Sequence, residues 1–118
     1  MASEYTKITD ERGDRYGRFE DQSVIVQTIK GLYGPAYARL DARTDITPRV
    51  KAAIKEGFDM IAHKIARAMN GDIAYLDNLD DIAGYAHITA RAIREQDDAK
   101  GDRVVGLHED KIDTARDV

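Results

Sequence analysis

The stretch from Thr47-Pro48 to Asn70-Gly71 constrains this chain more than any other part of it. Val50, Ile54, Phe58, Ile61, Ile65 and Met69 recur there at spacings of three and four, the period of one helical face. Thr47 suits an N-cap, and Pro48 suits the first helical position, where a missing N–H costs nothing. Asn70-Gly71 supplies the matching stop. Ala53, Gly57, Ala62 and Ala66 widen the face with small residues that admit another helix closely. A face of this breadth has to be covered, because packing rather than propensity stabilises such a helix.

The flanking sequence offers helices as the cover. Val24, Ile25, Ile29 and Leu32 form a stripe that predicts a first helix starting near Phe19 or Glu20. Pro35 predicts a break near Gly34, or a new turn running to Leu40, because a proline inside a helix removes a donor and crowds the preceding turn. A third helix is expected from near Asp77, burying Leu79, Ile82, Ala83, Ala86, Ala90 and Ile93 and fading at Glu95–Asp98. No stretch alternates over a strand length. The reading is an all-α, small antiparallel helical bundle of three to four helices. It divides into an N-terminal polar arm (1–18), a helical domain (19–96) and a charged C-terminal tail (97–118). Three helices make a thin core, so a homo-oligomer, a dimer or higher, is expected to complete it.

Composition removes several function classes. The 118 residues contain no cysteine, which excludes disulfides, thiolate metal sites and a cysteine nucleophile. The net charge of −4 argues against binding extended nucleic acid. No apolar run reaches membrane-spanning length and the first fourteen residues are polar, so no membrane partner and a cytoplasmic location are expected. No phosphate-binding glycine loop, histidine metal pair or serine elbow occurs.

What remains is a cluster of charges. Asp77 and Asp81 stand one turn apart on the expected third helix, with Asp80 beside them. Carboxylates so spaced can share Mg²⁺, yet they also suit the positive end of a helix with no metal at all. Lys64 and Arg67 share a face near the end of the second helix. A short connector makes helices two and three antiparallel, which sets this cation pair near Asp77 and Asp81. Such a meeting is either a salt-bridge network or a phosphate–metal site. Gly84 in a helix interior suggests close approach by another backbone or a ligand, or close packing alone. Tyr85, one turn after Asp81, suits either base stacking or a core position.

Arg15-Tyr16-Gly17, Lys64-x-x-Arg67 and the run Asp77-Asn78-Leu79-Asp80-Asp81-Ile82-Ala83-Gly84-Tyr85-Ala86 together resemble a phage-encoded family of small all-helical proteins of unknown function. The likeness covers roughly residues 14–94. That family is itself similar to the nucleotide-modification-associated domains of phage genomes. More loosely, the chain resembles the MazG-like all-α NTP pyrophosphohydrolases, which bind Mg²⁺ through Glu-x-x-Glu and Glu-x-x-Asp motifs. Asp81 stands where the second motif would place its aspartate, but Asn78 holds the partner position and the first motif is missing.

These resemblances imply a nucleotide ligand in the host cytoplasm and one of two roles. In the first, a Mg²⁺-dependent (d)NTP pyrophosphohydrolase, Asp77 and Asp81 are catalytic and hold the metal with help from Glu56 or Asp59. Lys64, Arg67 and Arg15 then bind phosphate, and Tyr16 and Tyr85 contact the base. In the second, a non-catalytic protein sequesters a nucleotide or cyclic nucleotide against host defence, with the cations gripping phosphate and the aspartates fixing them. A salt-bridge network with no ligand is the third, plain reading.

Overall fold

The computed structural model describes residues 17–102, which form three helices, α1 (Phe19–Asp41), α2 (Pro48–Asn70) and α3 (Leu76–Asp102). No strand occurs among them, and the fold is all-α as expected. None of these helices is long and apolar enough to cross a membrane. The arm through Tyr16 and the tail from residue 103 lie outside the described residues.

The signals around α2 act as read. The Thr47 hydroxyl accepts from the Val50 N–H at 3.2 Å, Pro48 opens the helix, and the Gly71 N–H closes it on the Arg67 carbonyl. The other two helices depart from expectation. α1 does not break at Gly34 but runs through Pro35. The carbonyl that the proline ring crowds and leaves without a donor is that of Gly31. Gly31 is exposed, with open space where a side chain would stand, so water can solvate that carbonyl. α3 passes the charged run at residues 95–98 because its far end is tied down. Gln96 accepts from the Thr47 N–H at 2.9 Å and donates to the Asp45 carbonyl at 3.0 Å, and Lys100 donates to that same carbonyl. Arg43, hydrogen bonded to the Asp45 carboxylate, holds that carboxyl down to about 2.

α2 packs against both α1 and α3, and those two make no contact with each other. Gly57 lets α3 in: a Cβ there would collide with the Thr89 side chain. On the opposite flank the single Tyr37 hydroxyl proton is shared between the Lys55 carbonyl at 3.0 Å and Asp59 Oδ1 at 2.9 Å, while Tyr33 donates to the Phe58 carbonyl and meets the Phe58 ring edge-on. The helices therefore lie side by side in one layer with α2 in the middle.

This arrangement changes what is buried. Among the described residues the buried hydrophobics are Val26, Ala62 and Ala66. The expected burial of Leu79, Ala83, Ala86 and Ile93 is not found: all four are exposed, Leu79 at 56%. Asn78, Ile82, Tyr85, Thr89, Ala92 and Gln96, at alternating spacings of four and three, are the buried or half-buried row of α3. The reason is Gly57, which seats Thr89 and so rotates the apolar stripe a quarter-turn out of the contact.

Gly57→Ala should cost about 1–3 kcal/mol by overpacking, and less on a Thr89→Ala background; denaturant melts of the four variants measure the coupling. Burial, and then the Asp59 carboxylate it donates to, raise the Tyr37 phenol well above its ordinary value. Unfolded tyrosine ionises near pH 10 while Tyr37 in the fold does not. The corresponding stability is complete below pH 10 and declines as pH climbs beyond it. Alkaline melts should show that decline, and Tyr37→Phe should make it shallower.

Candidate functional site

The polar side of the α2–α3 seam gathers much of the predicted cluster. Lys64 and Asp81 meet at 3.0 Å, as the antiparallel inference required. The pair is lopsided, with the Lys64 side chain 12% exposed and that of Asp81 48%. Lys64 is thus largely covered, whereas Asp81 meets it from the more open side. Arg67 is half-buried one turn later on the same side of α2.

Asn78 is the residue that sequence reading passed over. It is 2% exposed, and its side-chain Nδ2 has no acceptor among the described residues. The pairings of Gly57 with Thr89 and of Lys64 with Asp81 set the register of the two helices and bring Asn78 level with Arg67. A buried amide donor without an acceptor costs about 1–3 kcal/mol. The available signal was Asn78 itself, an amide where the looser family likeness expects a carboxylate.

The other acidic residues divide. Asp77 is exposed, and its Oδ2 accepts from the Tyr75 hydroxyl at 2.9 Å. Asp80 and Asp81 line an open hollow of about 300 Å³ with Gly84, Tyr85 and Ile88. A Cβ on Gly84 would meet nothing within 4 Å, so no backbone among the described residues approaches it. Tyr85 is half-buried at the edge of this hollow. Glu56 is exposed on α2 two turns before Lys64, about 12 Å along the axis. Asp59 faces α1, taken by Tyr37 and by Lys30 at 3.9 Å. Among the described residues no three His, Asp or Glu side chains converge as a metal would require, so Asp77, Asp81 and Glu56 form no such group.

Arg15 and Tyr16 lie outside the described residues, but the point where the arm joins is fixed. Asn70 Nδ2 donates to the Arg18 carbonyl at 2.9 Å. Gly17, at φ 76°, packs so tightly on Asn70 that a Cβ would overlap it. Both the positive φ and the contact require glycine. The chain entering α1 is thus clipped to the end of α2, one turn beyond Arg67.

Asn78→Leu should leave stability level or raise it, since it removes an uncompensated buried donor; a thermal melt measures this. Lys64→Met, which keeps the packed stem, should cost no more than about 1 kcal/mol because Asp81 is half open to water. Comparison with family models, with curated proteins and with solved structures found no match to this chain.

Proposed function

We propose that this chain is a nucleotide-binding protein that grips phosphate at the polar side of the α2–α3 seam without turning it over. The observation that carries the reading is Asn78 Nδ2, a buried donor lacking an acceptor at the level of Arg67 and beside the Lys64–Asp81 pair. A phosphate or base-carbonyl oxygen is the kind of acceptor that would satisfy it. Lys64 supports the same reading. An ammonium has three donors, so the contact with one Asp81 oxygen does not exhaust it. Asp81 holds the cation in place, and an entering dianion competes with an already hydrated carboxylate rather than a buried one. Arg67 adds a planar donor set suited to phosphate oxygens. The resemblance to phage nucleotide proteins supplies the ligand class, and the clipped Gly17 supports a role for Arg15 and Tyr16 from the arm.

A magnesium-dependent pyrophosphohydrolase is the second reading. Its support is the hollow in which Asp80 and Asp81 lie beside the Tyr85 ring.

Thermal melts with dNTPs, NTPs and cyclic dinucleotides, each with Mg²⁺ and with EDTA, separate the two. The binding reading expects a rise of about 5 °C or more that persists in EDTA, with the ligand recovered intact. Asn78→Leu and Lys64→Met should abolish that rise. A shift that needs Mg²⁺ and consumes the ligand would favour the hydrolase, with Asp81→Asn losing turnover but not fold. No shift with any nucleotide would end both readings.

A further inference from the structure

The layer has one polar and one apolar side. α1 and α3 flank α2 on opposite sides, at Lys55 and Asp59 and at Gly57 and Lys64 respectively. Val50, Ile54, Phe58, Ile61, Ile65 and Met69 form a stripe whose centre lies between those flanks, roughly a quarter-turn from each, with Val50 at the edge nearest α3. Neighbouring helices run antiparallel, so their wheel positions on that same side follow from the contacts. On α1 they are Ile25, Ile29, Leu32, Ala36 and Leu40. On α3 they are Leu79, Ala83, Ala86, Ala90 and Ile93. None of these residues is buried; the charges at the edge of the face are Lys51, which shares Met69's wheel position and bonds the Asp41 and Arg43 carbonyls, and Arg39 and Arg43, which line a hollow with Ala36, Leu40, Ile54 and Phe58.

Each stripe is a near-palindrome. Reversing α2 sets Val50 against Met69, Ile54 against Ile65 and Phe58 against Ile61, with the midpoint between Asp59 and Met60. Reversing α3 sets Leu79 against Ala90 and Ala83 against Ala86, with the midpoint between Gly84 and Tyr85. Reversing α1 sets Ile25 against Leu40 and Ile29 against Ala36, with the midpoint between Leu32 and Tyr33. Asp59 bonds Tyr37, Phe58 meets Tyr33 and Gly57 meets Thr89. Those contacts bring the three midpoints onto one line across the layer, to within about 3 Å.

We propose that this face is the contact surface of a homodimer, in which a second copy lies face to face with its helices antiparallel. A single two-fold axis along that line pairs α1 with α1, α2 with α2 and α3 with α3. A two-fold interface must be self-complementary, and stripes that read alike in both directions meet that condition. The stripe from Val50 to Met69 is about 29 Å long and three packed helices are about 25 Å wide. Each copy thus offers about 700 Å² and the pair about 1,400 Å², the size of a stable interface. The polar seam with Lys64, Asn78 and Asp81 stays on the outside of both copies.

Light scattering of the full chain should give twice the 13.2 kDa of one protomer, and Ile61→Glu should return it to one. Mixing Leu79→Cys chains with Ala90→Cys chains and adding a short bismaleimide should link unlike chains at least tenfold more than like ones. Like residues in the antiparallel register stand about 16 Å apart along the axis. Should Ile61→Glu fail to fold, the cross-linking pattern decides alone. A single-protomer mass at about 100 µM would overturn the proposal. So would a dimer indifferent to Ile61→Glu, or like chains linking as readily as unlike ones.

Discussion

The contact on which the rest of the structure depends is the one at Gly57, where the absent Cβ admits Thr89 and fixes how α3 lies against α2. That seating decides which residues of α3 face inward. It also sets the register that brings Asp81 to Lys64 and Asn78 to the level of Arg67. A larger residue at position 57 would push α3 away and separate those pairs along with the helices. On the opposite flank Tyr37 plays the complementary part, its hydroxyl reaching both a carbonyl and a carboxylate of α2. The central helix is held from two sides by unlike means, a close approach and a hydrogen-bonded phenol.

Two flanks leave two free sides, and the sequence divides them by polarity. Glu56, His63 and Arg67 of α2 share one side with Asp77 and Asp81 of α3, and the hydrophobic stripes of all three helices share the other. Domains are commonly two packed layers around one core. Among the described residues one layer buries three hydrophobic residues, two of them alanines, and the second layer of such an architecture is what the proposed dimer would supply. The division would also separate the two roles proposed above. Residues that recognise a ligand need solvent access, and those that complete a core need exclusion from it; here no residue is asked for both.

The helix order, α2's limits and the meeting of Lys64 with Asp81 were legible in the sequence because each rests on local rules. Thr47-Pro48 and Asn70-Gly71 mark ends through their own backbone chemistry, and a short connector forces antiparallel neighbours. The orientation of α3 was not legible. Its stripe from Leu79 to Ile93 has the period of a buried face, and nothing in that period says which surface covers it. Only the pairing of Gly57 with Thr89 shows that the covering surface is not α2. The unbroken α1 was hidden for a similar reason, since Pro35 is tolerable only where residue 31 faces water. At the site, the acidic run drew attention to Asp77, whereas the residue that burial marks out is Asn78.

Asn78 and the apolar stripe of α3 are linked by that same rotation. Had α3 turned its stripe toward α2, Leu79 would occupy the seam and Asn78 would lie at its edge, free to find water. The observed orientation buries an amide without an acceptor and exposes leucine and isoleucine, two costs in an isolated protomer. Both would be relieved by the two partners proposed above, an acceptor oxygen at the seam and a hydrophobic surface across the layer. A fold that carries both costs at once is suited to an assembly with a bound ligand, and each partner would stabilise the helix orientation that the other needs.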